Sequence, residues 1–285
     1  MAYTFFNAVN SSGKKLSDYD LLKAHHLRFI ADEAVAKVMA EQWDVTGAGG
    51  YGDILHKTLY RLRSWSRHEN PAVDAQIGHR LFNHFSAKAP TVSGIFFPPL
   101  AMRFNSTIPG GAPFFYYAER HRMLWDRFTK TGACMALNGH LSELSGNVLR
   151  DIICTLLFAF YCRFGEIYLN DALFCIADVV SALRNKPRVQ ATPSLRDEII
   201  KDCLYSLDTA LDPGRFFDWC LSPERQYPPD RPITPMKSYG VKNRYWDALG
   251  GLYGDLSKSA VLKEQIAKRR KMLEAPPSAE NKKEG

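Results

Sequence analysis

SGNVLRDIICTLLFAFYCRF, residues 145–164, and GEIYLNDALFCIADVVSALRNKP, residues 165–187, decide how this 285-residue chain folds. Both runs are of helical length and apolar on most sides, the pattern of helices surrounded by other helices rather than lying on a surface. Gly165 separates them. Pro187, which lacks an N–H and cannot continue a helix, closes the second. The longest apolar run, Ile152 to Cys162, falls well short of the ~20 residues a bilayer-spanning helix needs. The pair is therefore read as the centre of a soluble helical core, with a membrane not among the expected partners.

Working outward, Ser17 and Asp20 stand three apart as a capping box, with Leu16 and Leu21 at staple positions, and open a helix expected to run from Ser17 to Trp43. Leu27, Ala31, Ala34 and Val38 give it one face. Asp44 to Gly52 breaks it, and a second helix from Asp53 to Glu69 carries Leu55, Leu59 and Leu62 in a stripe. Asn70-Pro71 caps a third helix toward Lys88, and residues 89–113, with five prolines, form a long irregular loop. Tyr117, His121, Leu124 and Phe128 mark a helix from Phe114 to Lys130, with Gly132 as its stop. Beyond the central pair, Ser194 and Asp197 repeat the capping pattern ahead of Ile199 to Leu207, and Asp212-Pro213 begins a short helix. Residues 222–236 hold five prolines and are read as an arm. A last helix spans Asp255 to Leu273 before a polar tail. No period-two run is long enough to build a sheet. The fold class is mainly α: a multi-helix globular core with a long Pro/Gly-rich loop, a Pro-rich linker and a basic C-terminal helix. It is divided as 1–113, 114–221 and 222–285.

At 46% hydrophobic and 12% aromatic, the composition excludes a chain disordered throughout. The N-terminus MAYTFF has neither the basic nor the apolar region of a secretory signal, which points to a cytoplasmic protein, whether free-living or inside a host cell. Six cysteines (134, 154, 162, 175, 203, 220) form no C-x-x-C pair and have no histidine at ligand spacing, so reduced buried thiols are expected, and no structural metal.

Nothing in the sequence identifies a catalytic residue or a cofactor. His25-His26, and His79 with His84, diverge around a helix, and His140 with Glu143 makes at most a local contact. Asp151, Asp171 and Asp178 lie in core-like helices, where a carboxylate needs a partner such as Arg150, Arg163 or Arg184. Residues 47–52, GAGGYG, satisfy G-x-G-x-x-G. That pattern signals a nucleotide only between a strand and a helix, and here a helix precedes it.

The charge is the better lead. Net charge is +7, and two segments hold the whole excess. One is 53–69, with four bases against two acids; the other is 258–271, with six against one. On the first, Lys57, Arg61, Arg63 and Arg67 are expected to hold phosphates while Tyr60 stacks on a base. On the second, Lys268-Arg269-Arg270-Lys271 opposes Leu262, Ile266 and Leu273. Arg103, Arg120 and Arg127 lie near further aromatics, MRFN at 102–105 and FFYY at 114–117. The expected function is a non-enzymatic nucleic-acid-binding structural protein of nucleocapsid or coat type, acting on single-stranded RNA and self-associating. The alternatives are a protein–protein scaffold, and an enzyme that binds a nucleotide at 47–52.

Overall fold

The computed structural model describes residues 17–69, 71, 80–86, 103–142, 148–181, 193–222, 241–256, 258 and 262–274, and among them the chain is helical, with no strand. It divides into two compact units, Met1–Asp126 and Arg127–Gly285. None of the described helices is long and apolar enough to cross a membrane.

In the first unit, α1 (Asp18–Leu27) starts on the expected box: the Asp20 N–H donates to Ser17 Oγ at 3.2 Å, and the Ser17 N–H donates to Asp20 Oδ2 at 3.3 Å. The helix stops at Arg28, and α2 (Glu33–Gly47) begins after Asp32. There the Asp32 carboxylate accepts from the Ala34 and Val35 N–H groups at 2.8 and 3.2 Å. The single helix expected over 17–43 is thus two, because the four-three-four apolar spacing runs straight across a cap. α2 buries Met39 and Trp43, not Val38, which is 57% exposed.

Gly47 takes φ +70°, which a residue without Cβ adopts at little steric cost. The chain then enters two π-helical turns, Ala48–Gly52 and Ile54–Leu59, and continues as α3 (Tyr60–Ser66). A Cβ at Gly50 would lie 2.5 Å from Thr46 Cγ2. A left-handed bend and a close approach therefore account for two of these glycines. Leu55, Leu59 and Leu62 are fully buried, as their stripe implies. α4 (Arg80–Phe85) is the described part of the helix expected after Pro71, and α5 (Ala112–Phe128) closes the core. Trp43 is sandwiched between Tyr19 (4.5 Å between centroids) and Tyr51 (4.7 Å), while His26 stacks on Phe114 at 3.8 Å. Phe114, Phe115 and Tyr117 therefore pack in this first unit.

The second unit is built around the stretch that opened the sequence. α7 (Val148–Phe164) and α8 (Leu169–Ser181) pack on each other and meet at Gly165, with φ +76°. Leu156, Leu157, Phe158, Phe160, Leu173 and Phe174 have no exposed surface, each contributing about 1.5–3 kcal/mol of apolar burial. Gly132, expected to stop a helix, instead starts α6 (Gly132–Leu141), because Thr131 caps it by accepting from the Cys134 N–H. α9 (Pro193–Thr209) begins at Pro193, one residue before the expected cap Ser194, and buries Ile200, Cys203, Leu204 and Leu207. α10 (Pro213–Leu221) has Asp212 as its cap, accepting from the Arg215 N–H at 3.1 Å. The helix expected over Asp255–Leu273 begins later, as α12 (Lys263–Glu274), and before it stands α11 (Val241–Leu256), nearly all of it over residues to which the sequence reading gave no helix. Most of the 89–113 loop, the 222–236 arm and the tail after 274 lie outside the described residues.

The cap at Asp32 is open to a direct check. Asp32→Ala should lower stability by about 0.5–2 kcal/mol in urea unfolding. A helix continuous through residue 32 would instead be unchanged or more stable, since alanine is the better interior residue.

Candidate nucleic-acid interface

The twelve residues expected to face a polyanion do not share one fate. Lys57 and Arg61, four apart, both reach solvent, Lys57 more fully than Arg61. Lys57 pairs with Asp53 at 3.1 Å. Arg67 is exposed at the C-terminal cap of α3, its N–H bonded to the Arg63 carbonyl at 3.2 Å. Tyr60 and Arg63 turn inward. Tyr60 is 2% exposed and meets His84 edge-on at 4.9 Å; Arg63 is 1% exposed. Both are corrections to the sequence reading. The cause is the width of the buried face: Thr58, Ser64 and Trp65 are buried as well as the leucines, so the sector beside the leucine stripe, where Tyr60 and Arg63 stand, faces the core and not solvent.

Arg63 has become structural. Its Nε donates to the His84 carbonyl at 3.1 Å, and one terminal nitrogen donates to the Phe104 and Ser106 carbonyls at 3.0 Å each. Its guanidinium also lies 5.2 Å from the Phe85 ring centre, with the Tyr117 phenol beside it. Burial opposes its charge, and carbonyl dipoles stand in for the carboxylate that buried cations usually find. The consequence reaches the surface: Arg63 fixes the segment that carries exposed Arg103 onto the helix that carries Arg61 and Arg67.

On α5, Arg122 is unavailable, held by Glu119 (2.9 and 2.8 Å) and Asp126 (2.6 Å). The neighbouring face differs. Tyr116 (41% exposed), Arg120 and Met123 (44%) follow one another at i, i+4 and i+7. Tyr116 is the ring next to a cation that the sequence reading sought in Tyr60. Its signal was this outward spacing, hidden inside the FFYY run whose other three members are buried. Arg61, Arg67, Arg103 and Arg120 form no ion pair with a described carboxylate. Their field registers on nearby histidines. Burial first, then Arg61 and Lys57, lower the His56 pKa against Asp53 and Asp18. Burial, with Arg67 and Arg63, lowers that of His84 against Glu69, which lies 3.1 Å away.

In the second unit Arg127 is exposed at the end of α5. Lys268 and Lys271 are exposed on α12, which sits on Ile266 and the preceding Leu262, both buried. Arg269 and Arg270 belong to α12, their side chains outside the described set.

Other sequence candidates resolve into structural contacts. His140 Nε2 bonds Asp255 Oδ2 at 2.6 Å, and Asp151 bonds its neighbour Arg150 at 2.7 Å. Arg163 binds the Ala210 carbonyl and lies 3.9 Å from Asp208. All six cysteines are free thiols. No group of metal-binding side chains occurs among the described residues. The GAGGYG stretch follows α2 and is itself helical, without the strand that a dinucleotide fingerprint requires. No protein-family model, curated protein or solved structure matches this chain.

Two expected outcomes follow from the buried groups. Arg63→Met should cost about 3–5 kcal/mol in urea unfolding, because three carbonyls lose their donor; a phosphate-contact role would leave stability unchanged. Burial pushes the imidazoles of His26 and His121 down to about 3 and about 4. Unfolded histidine takes up its proton near pH 6.5, so the contribution of these neutral rings is complete above that pH. It is lost as pH falls toward 4, by about 1 kcal/mol per unit per ring. Urea midpoints at pH 7.5 and 5 should differ accordingly, and His121→Phe should flatten the profile.

Proposed function

We propose that this chain is a non-enzymatic nucleic-acid-binding structural protein, of nucleocapsid or coat type, that holds single-stranded RNA mainly by its phosphates. The observation that carries the reading is that Tyr116 and Arg120 stand one turn apart on α5, in a unit that also presents Arg61, Arg67 and Arg103 with no carboxylate partner among the described residues. An exposed ring offers a stacking face to any base, and guanidinium groups that reach solvent supply phosphate contacts without sequence readout. Lys268 and Lys271 on α12 extend the same chemistry in the second unit. The mechanism needs no bound cofactor: binding is driven by counterion release and base stacking.

A scaffold reading draws on different residues. Leu211 (91% exposed) and Ile167 (69%) sit on turns that precede α10 and α8, as side chains awaiting a protein partner would. Mass measurement after nuclease treatment in high salt separates the two: assemblies that survive it are held by protein contacts.

Titrating a fluorescent single-stranded oligonucleotide against rising salt tests the main reading. Log affinity should fall linearly with log salt, by about 0.7 per phosphate contact. Arg61→Ala, Arg67→Ala and Arg103→Ala should each weaken binding to all sequences alike and reduce the slope by about that amount. Tyr116→Ala should cost about 1–3 kcal/mol with the slope preserved. No binding at low salt, or a flat salt dependence, overturns the proposal.

A further inference from the structure

α2 carries two apolar faces, and among the described residues only one of them is buried. Met39 and Trp43 point into the core of the first unit, as the aromatic stack around Trp43 shows. Beside this face stand Val35, Val38, Gln42 and Val45, spaced three, four and three, with Val38 and Val45 about a third of a turn from the Met39–Trp43 line and Val35 and Gln42 nearer to it. The three valines are 36%, 57% and 88% exposed, and Gln42 is exposed with them. A three-four alternation is the seam of a helix that packs along its length against another helix, and β-branched residues with one polar interruption are typical of a two-stranded seam. On an ordinary solvated face these positions would be Lys, Glu or Gln throughout.

We propose that this face is a self-association surface, on which α2 of one molecule packs against α2 of a second copy of the chain. One feature selects a second copy over a foreign helix. Gln42, at the single polar seam position, bears both donors and acceptors on one amide, so two such side chains facing across a two-fold axis satisfy each other, as a lone polar seam residue does in a two-stranded pair. The seam is only a few turns of a 15-residue helix. The contact is therefore smaller than a standard protein interface, and the association is expected to be reversible and concentration-dependent. It is independent of the nucleic-acid reading, since none of its residues belongs to the cationic set.

Sedimentation velocity of the nuclease-treated full chain in high salt, from about 1 to about 100 µM, tests it by mass action. The expected result is a shift from the 32.3 kDa monomer toward twice that mass. Val38→Asp with Val45→Asp should abolish the shift while leaving the thermal melt unchanged, since both side chains are exposed. Gln42→Glu and Gln42→Lys chains should each stay monomeric alone and associate when mixed, a result that only copy-to-copy contact at this residue produces. A single 32.3 kDa species at all concentrations overturns the proposal. So does association that persists in the double aspartate variant, or that appears only when oligonucleotide is added.

Discussion

A guanidinium shut away from water must have its N–H groups met by oxygen, and the first unit is arranged around that requirement. Arg63 answers it with three main-chain carbonyls drawn from residues 84, 104 and 106, which lie far along the chain from residue 63. A carboxylate would have cancelled the charge; carbonyls leave it positive and use it as a clip. The irregular chain before α5 is thereby fixed to α3, and α4 is tied to the same point through His84. The surface arginines owe their placement to a neighbour that never reaches solvent.

The same unit shows how one basic segment divides its labour. Lys57, Arg61 and Arg67 reach solvent while Arg63 and Tyr60 are buried between them. The buried pair builds the scaffold and the exposed set supplies a field, which adds to burial in depressing the proton affinity of His56 and His84, Arg63 contributing at His84. Glu119 and Asp126 neutralise Arg122, so Tyr116 and Arg120 on the adjoining face of α5 form a separate feature rather than part of an ion-pair ladder.

Local signals were legible in the sequence and distant ones were not. Gly165, the Ser17 box and the Asp212-Pro213 cap act within a few residues of themselves, and each stands where its pattern placed it. Asp32 acts just as locally but was hidden by apolar spacing that happened to continue across it. Gly132 marked a boundary correctly and its direction wrongly, because Thr131 before it is the cap. Nearly all of α11 occupies residues to which the sequence reading gave no element. A Cβ at its Gly251 would lie 2.8 Å from the His140 ring, so that glycine permits two helices distant in sequence to approach. The inward turn of Arg63 was beyond reach for a different reason: it depends on acceptors at residues 84, 104 and 106 that only tertiary folding brings together.

The central claim is that the outward side chains of this cationic unit, with Tyr116 among them, touch single-stranded RNA. Ultraviolet cross-linking of a single-stranded RNA to the full chain, followed by tryptic peptide mapping, tests it most directly. The account predicts nucleotide adducts on the peptide spanning residues 104–120, at Tyr116, that disappear in high salt. Adducts confined to other peptides, or none at low salt, would contradict it.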